Sequence, residues 1–191
     1  MPPGAGRRAG TAPAASGPVP VEVVSRTAGG VRHAGPSRRL LLGLRRATRQ
    51  SAGGVTLLIT GDREIRALNR RHLGQDRTTD VLSFPAQGWL EPGVTHLGDI
   101  AVSLPRARRQ ARRAGWPVGS EMALLVTHGY LHLLGHDHET DDGTMHRLEA
   151  RLLEKVARVR LDRRRLPWGT AASHASRGRT AARPRALREI P

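Results

Sequence analysis

The sequence predicts an α+β fold in which helices are layered on a small mixed β-sheet. Four short segments rich in β-branched and other apolar residues have the composition and length of strands. Other segments repeat apolar residues three and four positions apart, which is the spacing of an amphipathic helix. The predicted order is strand, helix, strand, helix, two strands and three helices, and this order is typical of an α+β domain.

The predicted elements begin and end at local signals. Ser37, Asp62 and Ser120 are good N-cap residues, and the Gly- and Pro-containing stretch 29–36 is expected to separate the first strand from the first helix. The predicted strands cover residues 19–25, 55–60, 81–84 and 97–103, and the last two are expected to form a hairpin. The predicted helices cover residues 37–49 and 62–71, begin again at Pro105 and at Ser120, and end with a last helix near Leu161.

Length and composition indicate one domain with a tail at each end. Residues 1–18 are expected to be a disordered lead and residues 162–191 a basic disordered tail, because both are rich in Pro, Gly, Ala and Arg without apolar periodicity. The domain is predicted to cover residues 19–161. The chain has no cysteine, which fits a reducing compartment. We find neither an apolar run of about twenty residues nor a secretory signal, so we expect a cytoplasmic protein without a membrane partner.

The charge of the chain favours a polyanionic partner. The formal net charge is +16, and Lys155 is the only lysine, so arginine carries almost all of it. Arginine pairs with phosphate oxygens through two hydrogen bonds, which favours RNA or DNA. Residues 1–18 and 160–191 hold nine of these charges. The central part of the chain therefore remains basic when the charges of these two segments are left out.

Three histidines near the middle of the chain predict a metal site. His128 and His132 are four residues apart and therefore project from the same face of the predicted helix. Gly135 follows where this helix is expected to end, since glycine readily adopts the left-handed conformation. His138 can then return toward the pair. Three imidazoles and an open fourth position are typical of catalytic zinc, so we expect one Zn²⁺ per chain at the C-terminus of this helix. Nickel and copper remain open by affinity alone.

The same run matches most of the metzincin protease pattern H-E-x-x-H-x-x-G-x-x-H. His128, His132, Gly135 and His138 occupy the four other positions of the pattern, but Gly129 replaces its glutamate. That glutamate is the general base of peptide hydrolysis. The sequence therefore retains the metal ligands of such a protease without its base.

Several motifs together resemble the bacterial YbeY family of ribosomal RNA maturation factors. The motifs are Leu68-Asn69, T-D-V-L-S-F-P at residues 79–85, Gly98-Asp99-Ile100, and the run from His128 to His138. The resemblance implies a single-strand-specific, zinc-dependent endoribonuclease that acts in 16S rRNA 3′-end maturation and in ribosome quality control. It also implies that His128, His132 and His138 are the zinc ligands. The implied partners are ribosomal RNA, the small ribosomal subunit and, in addition, ribosome-assembly proteins.

The chain departs from the family pattern at the end of the second predicted helix. Members commonly carry Tyr-Arg where this chain has His72-Leu73. Nearby arginines are the candidates to replace the missing one, and arginines of the helix opened by Pro105 can extend the phosphate-binding surface. The candidate RNA-binding residues are Arg70, Arg71, Arg77, Arg109 and Arg112.

The general base has three candidates, Asp80, Asp99 and Asp137. Each also has a structural interpretation, in which Asp80 fixes a turn and Asp137 orients a ligand imidazole. Two other functions stay open at this stage. One is a non-catalytic ribosome-assembly factor with a structural metal, and the other is a metzincin-like metalloprotease.

Overall fold

A four-stranded mixed sheet forms the centre of the protein, as predicted. The structure is a computed structural model that describes residues 20–50, 53–86, 96–138 and 141–162. The strands are β1 (Val21–Ser25), β2 (Gly54–Thr60), β3 (Val81–Pro85) and β4 (His96–Ser103). Their order in the sheet is β1-β2-β4-β3. β1, β2 and β4 are parallel, and β3 pairs with β4 in the antiparallel direction, as expected for the two strands of a hairpin.

Helices cover both faces of this sheet. They are α1 (Val31–Ala47), α2 (Asp62–Leu73), α3 (Leu104–Ala114), α4 (Val118–Leu133) and α5 (Thr144–Leu152), and a π-helical turn follows at Leu153–Ala157. The main hydrophobic core joins one sheet face to α1, α4 and α5. A smaller cluster joins the other face to Ile65 and Leu68 of α2. The predicted α+β class and order of elements are therefore confirmed.

The sheet has two edges that carry different helix ends. β1, β2 and β4 end at the same edge, which we call the carboxyl edge, and the chain continues from them into α1, α2 and α3. α4 runs back over β4, because Gly129 lies against Ile100 and Leu133 lies against Gly98. The C-terminus of α4 is thus at the opposite edge, where β4 begins, and we call this the amino edge.

The start of α1 differs from the prediction. The helix begins at Val31, six residues before Ser37, and Pro36 lies inside it. Gly29 turns the chain with a φ of +72°, so the helix can begin directly after β1. Pro36 removes one helical hydrogen bond, but Leu40, Leu41 and Leu44 in the later turns are buried and hold the helix on the sheet.

The predicted caps were wrong for all three helices. Ser37 is buried inside α1, while Gly61 and Pro117 occupy the N-cap positions of α2 and α4. The Asp62 carboxylate instead accepts hydrogen bonds from Ser103 Oγ at 2.5 Å and from Arg109 Nη2 at 2.7 Å. These tertiary contacts take the side chain away from the helix N-terminus.

Some predicted features lie outside the described residues. They are the lead at 1–18, residues 87–95 between the two strands of the predicted hairpin, and all of the tail beyond 162, so the domain boundaries stay a prediction. Among the residues that the structure describes, no helix is both long and apolar enough to cross a membrane.

Glu121 is a carboxyl group in the core beneath the first turn of α4. Its exposed fraction is 0%, and Trp116 Nε1 donates a hydrogen bond of 2.6 Å to its Oε2. Oε1 has no hydrogen-bond partner in the described part of the chain. The pKa of Glu121 is raised to about 7, mainly by burial and in addition by the charge of Asp80, while the Trp116 hydrogen bond opposes this shift.

This burial predicts an effect of pH on stability. The pKa of Glu121 is higher in the folded than in the unfolded protein, so its favourable contribution is complete below the unfolded value of 4.5 and is lost as the pH rises through about 7. Glu121→Gln keeps the shape and an acceptor for Trp116, and it has no charge to bury. We expect this variant to be more stable than wild type by up to about 3 kcal/mol near pH 8, and similar to it near pH 4.

Urea unfolding of both proteins across this pH range measures the difference. Glu154→Gln is the control, because Glu154 is exposed and pairs with Arg160 at the surface. If wild type and Glu121→Gln lose stability in parallel as the pH rises, the buried carboxyl is not the cause.

Candidate metal centre

The C-terminal end of α4 positions the three histidines. His128 and His132 lie one turn apart, and Leu134 is the C-cap residue. Gly135 has a φ of +81°, and the N–H of His136 donates to the carbonyl of Leu131 at 3.1 Å, which is the return geometry of a glycine-terminated helix. Gly135 therefore ends the helix as predicted, and the chain beyond it places His138 beside the other two imidazoles.

The three imidazoles form one compact group. One ring nitrogen from each of His128, His132 and His138 lies within 4.8 Å of the others, and Nε2 of His132 is 3.1 Å from Nε2 of His128. Nitrogens that bind one tetrahedral zinc at about 2.0 Å are roughly 3.3 Å apart. The group could therefore hold a metal ion, and the donor set of three imidazoles suits zinc.

A glutamate from α5 orients the first histidine. Nδ1 of His128 lies 3.0 Å from Oε1 of Glu149, and both side chains are buried. A carboxylate can only accept, so Nδ1 of His128 carries the proton and its Nε2 keeps a lone pair directed at the other histidines. This is how a carboxylate holds a metal-binding imidazole in one tautomer. The sequence reasoning missed Glu149, although an acidic residue on the same helical stripe as the apolar Met145 and Leu152 was a signal for it.

His132 is kept in the neutral form that a metal requires. The pKa of His132 is lowered to about 4, mainly by burial and in addition by the neighbouring His128 and His138, while Asp137 opposes this shift. The imidazole is therefore uncharged at neutral pH, and its lone pair is available to a cation.

His146 is a fourth histidine beside the group, and it was also missed. Its ring centroid is 5.4 Å from that of His138, and its Nε2 is buried without a hydrogen-bond partner among the described residues. Burial lowers the pKa of His146, whereas the charge of Glu149 raises it. His146 thus forms a wall of the centre on the α5 side.

Gly129 faces the sheet and leaves no room for the base of a metzincin. A Cβ atom there would lie 2.9 Å from Ile100, 3.0 Å from Ser83 Oγ and 3.2 Å from Val81. Ser83 Oγ also donates to the carbonyl oxygen of Gly129 at 3.1 Å. A glutamate at this position would clash with β3 and β4, so the helix cannot supply a protease-type carboxylate from here.

The structure places the three candidate carboxylates in different surroundings. Asp137 is exposed between the histidines of the loop, and its charge acts on His132. Asp80 accepts from the N–H of Val81 at 3.0 Å and from Gln110 Nε2 at 2.6 Å, which is the turn-fixing role. Asp137 therefore lies near the metal centre, and Asp80 has a structural role in its turn.

Asp99 lies on the other face of the sheet from α4. It pairs with Thr56 of β2 and with Phe84 of β3, and cross-strand partners share a face. Phe84 packs in the cluster that α2 covers, and His96 Nε2 lies 2.9 Å from Oδ1 of Asp99. The structure therefore does not bring Asp99 to the three histidines.

The candidate RNA-binding arginines are distributed over both edges. Arg70 and Arg71 are exposed in the last turn of α2. His72 of the same turn packs its ring on Phe84, with centroids 5.0 Å apart, which places this turn toward the amino edge. Arg77 and Arg112 are exposed, whereas Arg109 is engaged by Asp62. Leu73, which replaces the arginine common in the family, is 48% exposed.

Comparison with known proteins agrees with this arrangement. The model of the family described as endoribonuclease YbeY matches residues 40–157. Among its relatives is endoribonuclease YbeY of Solibacter usitatus, which is 51% identical over 114 residues, or 59% of this chain and 74% of that protein. A Thermus thermophilus protein of the same name is 47% identical over 120 residues, or 59% of this chain and 86% of that protein.

A solved structure has the same fold. The solution structure of a Thermotoga maritima protein matches with a TM-score of 0.53 and 28% sequence identity, over 71% of this chain and 88% of that one. The matched family region contains all three histidines and Glu149. The chain belongs to the YbeY family.

Proposed function

We propose that this protein is a zinc-dependent endoribonuclease that cleaves single-stranded ribosomal RNA in the cytoplasm. Its proposed roles are 3′-end maturation of 16S rRNA and ribosome quality control, with the small ribosomal subunit and ribosome-assembly proteins as partners. The observation that carries this proposal is the group of three histidine nitrogens, within 4.8 Å of one another, in a chain whose relatives are named endoribonucleases.

The composition of the centre favours catalysis over a structural metal. Structural zinc sites usually have four protein ligands, whereas catalytic sites have three and keep one position for water or substrate. In the part of the chain that the structure describes, the group of possible ligands has three members. The alternative, a non-catalytic assembly factor, is an outcome of the experiment below.

The proposed chemistry is attack of water on the phosphodiester phosphorus, with cleavage of one P–O ester bond. His128, His132 and His138 would hold the metal ion, which would supply Lewis acidity to water and to the phosphoryl oxygen. We assign removal of the proton from water to Asp137, because its charge acts on His132. Arg70 and Arg71, exposed at the end of α2, would bind the phosphates of the RNA.

The first prediction from this proposal concerns His132→Ala. Loss of one of three ligands should reduce zinc content from about one ion per chain to a small fraction, and RNA cleavage should fall to background with it. Metal analysis by mass spectrometry and cleavage of a 5′-labelled single-stranded rRNA fragment measure the two effects. Because water attack does not use the ribose 2′-hydroxyl, the products should carry no cyclic phosphate.

Metal exchange in the wild-type protein is the control. Removal of the metal with a chelator should abolish cleavage, and reloading with zinc, nickel or copper identifies the ion that restores it. Wild-type protein that holds zinc but cuts no RNA, free or on ribosomes, would establish the assembly-factor function instead. Products with a 2′,3′-cyclic phosphate would show that the ribose hydroxyl is the nucleophile.

The second prediction concerns Glu149→Gln. Glutamine keeps the size of the side chain but loses the charge that holds Nδ1–H of His128, so zinc affinity should fall about 10- to 100-fold. Competition with a chromogenic chelator measures this affinity. Glu154→Gln is the matched control, since Glu154 is exposed and pairs with Arg160. Equal zinc affinities of the two variants would contradict a positioning role for Glu149.

The third prediction concerns Asp137→Asn. We expect kcat to fall by about 10² to 10⁴, as for loss of a general base, with zinc content unchanged. Asp142→Asn is the control, because Asp142 is an exposed residue of the neighbouring loop with a φ of +47°, a conformation that asparagine tolerates. An Asp137→Asn variant with the kcat of wild type would exclude this carboxylate as the base.

A further inference from the structure

Two arginines converge at the carboxyl edge, at the opposite end of β4 from the histidines. Arg32 lies in the first turn of α1 and Arg108 in the second turn of α3. A Cβ atom placed on Gly29 would be 2.6 Å from Nη2 of Arg108 and 2.9 Å from Nη2 of Arg32. Both guanidinium groups therefore reach the same point above the turn from β1 to α1.

Other arginines of this edge are neutralised or bound within the fold. Arg26 pairs with Glu64 at 3.2 Å, and Arg109 pairs with Asp62 at 2.7 Å. Arg106 donates to the hydroxyl of Thr78 at 2.7 Å. By contrast, Arg32 and Arg108 form no ion pair within the described ranges, and Arg32 donates only to the carbonyl of Gly29 at 3.2 Å.

The surroundings of these two arginines add positive rather than negative potential. The first turns of α1 and α3 contain no acidic residue, and both helices direct their positive N-terminal ends at this edge. Burial lowers the pKa of His33, and the charges of Arg32 and Arg108 lower it further. Like charges brought together without an internal counter-charge are the arrangement of an anion-binding surface.

We propose that Arg32 and Arg108 form a second RNA-binding site, which holds a backbone phosphate of the same single strand that is cut at the metal centre. This inference rests on the proposed function, because the metal centre defines the ligand as RNA. The two edges are separated by the length of β4, eight residues, or about 25 Å. A strand that contacts both edges must therefore be several nucleotides long, and Arg112, one turn beyond Arg108 and exposed, extends the site.

RNA length tests this site separately from the metal centre. We would measure binding of unstructured oligouridylates of about 4 and about 16 nucleotides by fluorescence anisotropy on ice, before cleavage proceeds. Arg32→Gln/Arg108→Gln should bind the long RNA about tenfold more weakly than wild type. Its slope of log affinity against log salt should be shallower by about 0.7, the loss of one phosphate contact on a single strand. Binding and cleavage of the short RNA should be unchanged.

A charge-matched double variant is the control. Arg46→Gln/Arg151→Gln removes two exposed arginines in the last turns of α1 and α5, at the other end of α1 from Arg32, and should keep the wild-type affinity and salt slope for long RNA. Arg32→Lys/Arg108→Lys is a second control. It should keep most of the slope of log affinity against log salt, because lysine still neutralises phosphate.

The possible failures are distinguishable. If the glutamine variant at Arg32 and Arg108 binds long RNA like the control while wild type cleaves RNA, this inference is wrong and the proposed function stands. If wild type binds no RNA of either length, both proposals are wrong.

Discussion

The close packing of α4 on β3 and β4 is the contact on which the metal centre depends. Gly129 lets the helix backbone approach Ile100, Ser83 and Val81, and Ser83 donates to its carbonyl group. One turn later Leu133 meets Gly98, where a Cβ atom would also collide with the carbonyl oxygen of Phe84. These contacts fix the rotation of α4 about its own axis and its position along β4. Since successive residues differ by about 100°, they also fix the directions of His128 and His132.

α5 supplies the other side chains that surround the three histidines. α5 brings Glu149 to Nδ1 of His128 and His146 to the ring of His138. Glu149 is 2% exposed, so its charge has lost most of its hydration and has to be compensated by partners inside the protein. His128 provides part of this compensation, and a cation held by the three histidines would add to it. Metal binding and the packing of α5 would then stabilise each other, as in other centres where binding and folding are coupled.

Local signals in the sequence were sufficient for the element order, for the helical spacing of His128 and His132, and for the stop at Gly135. They failed where a tertiary contact decides the outcome. Asp62 has the preferences of an N-cap, yet it binds Arg109, 47 residues away. Glu149 lies 21 residues from the imidazole that it orients. Arg32 and Arg108 meet only because the sheet brings the N-terminal halves of α1 and α3 to one edge. Composition indicated many arginines but could not tell those with an acidic partner from those without one.

The position of Gly129 also restricts where the catalytic base can be. In a metzincin the residue after the first histidine projects to the substrate, but here it projects onto β3 and β4. A helix that packs this face on a sheet cannot present a carboxylate from it, even though the spacing of the metal ligands is the same. In the proposed reaction the base would then come from outside α4, and Asp137 is our candidate because it follows directly in the loop that also carries His138. For the proposed reaction, we infer that substrate approaches from the side of this loop and the amino edge, where Arg70 and Arg71 lie exposed.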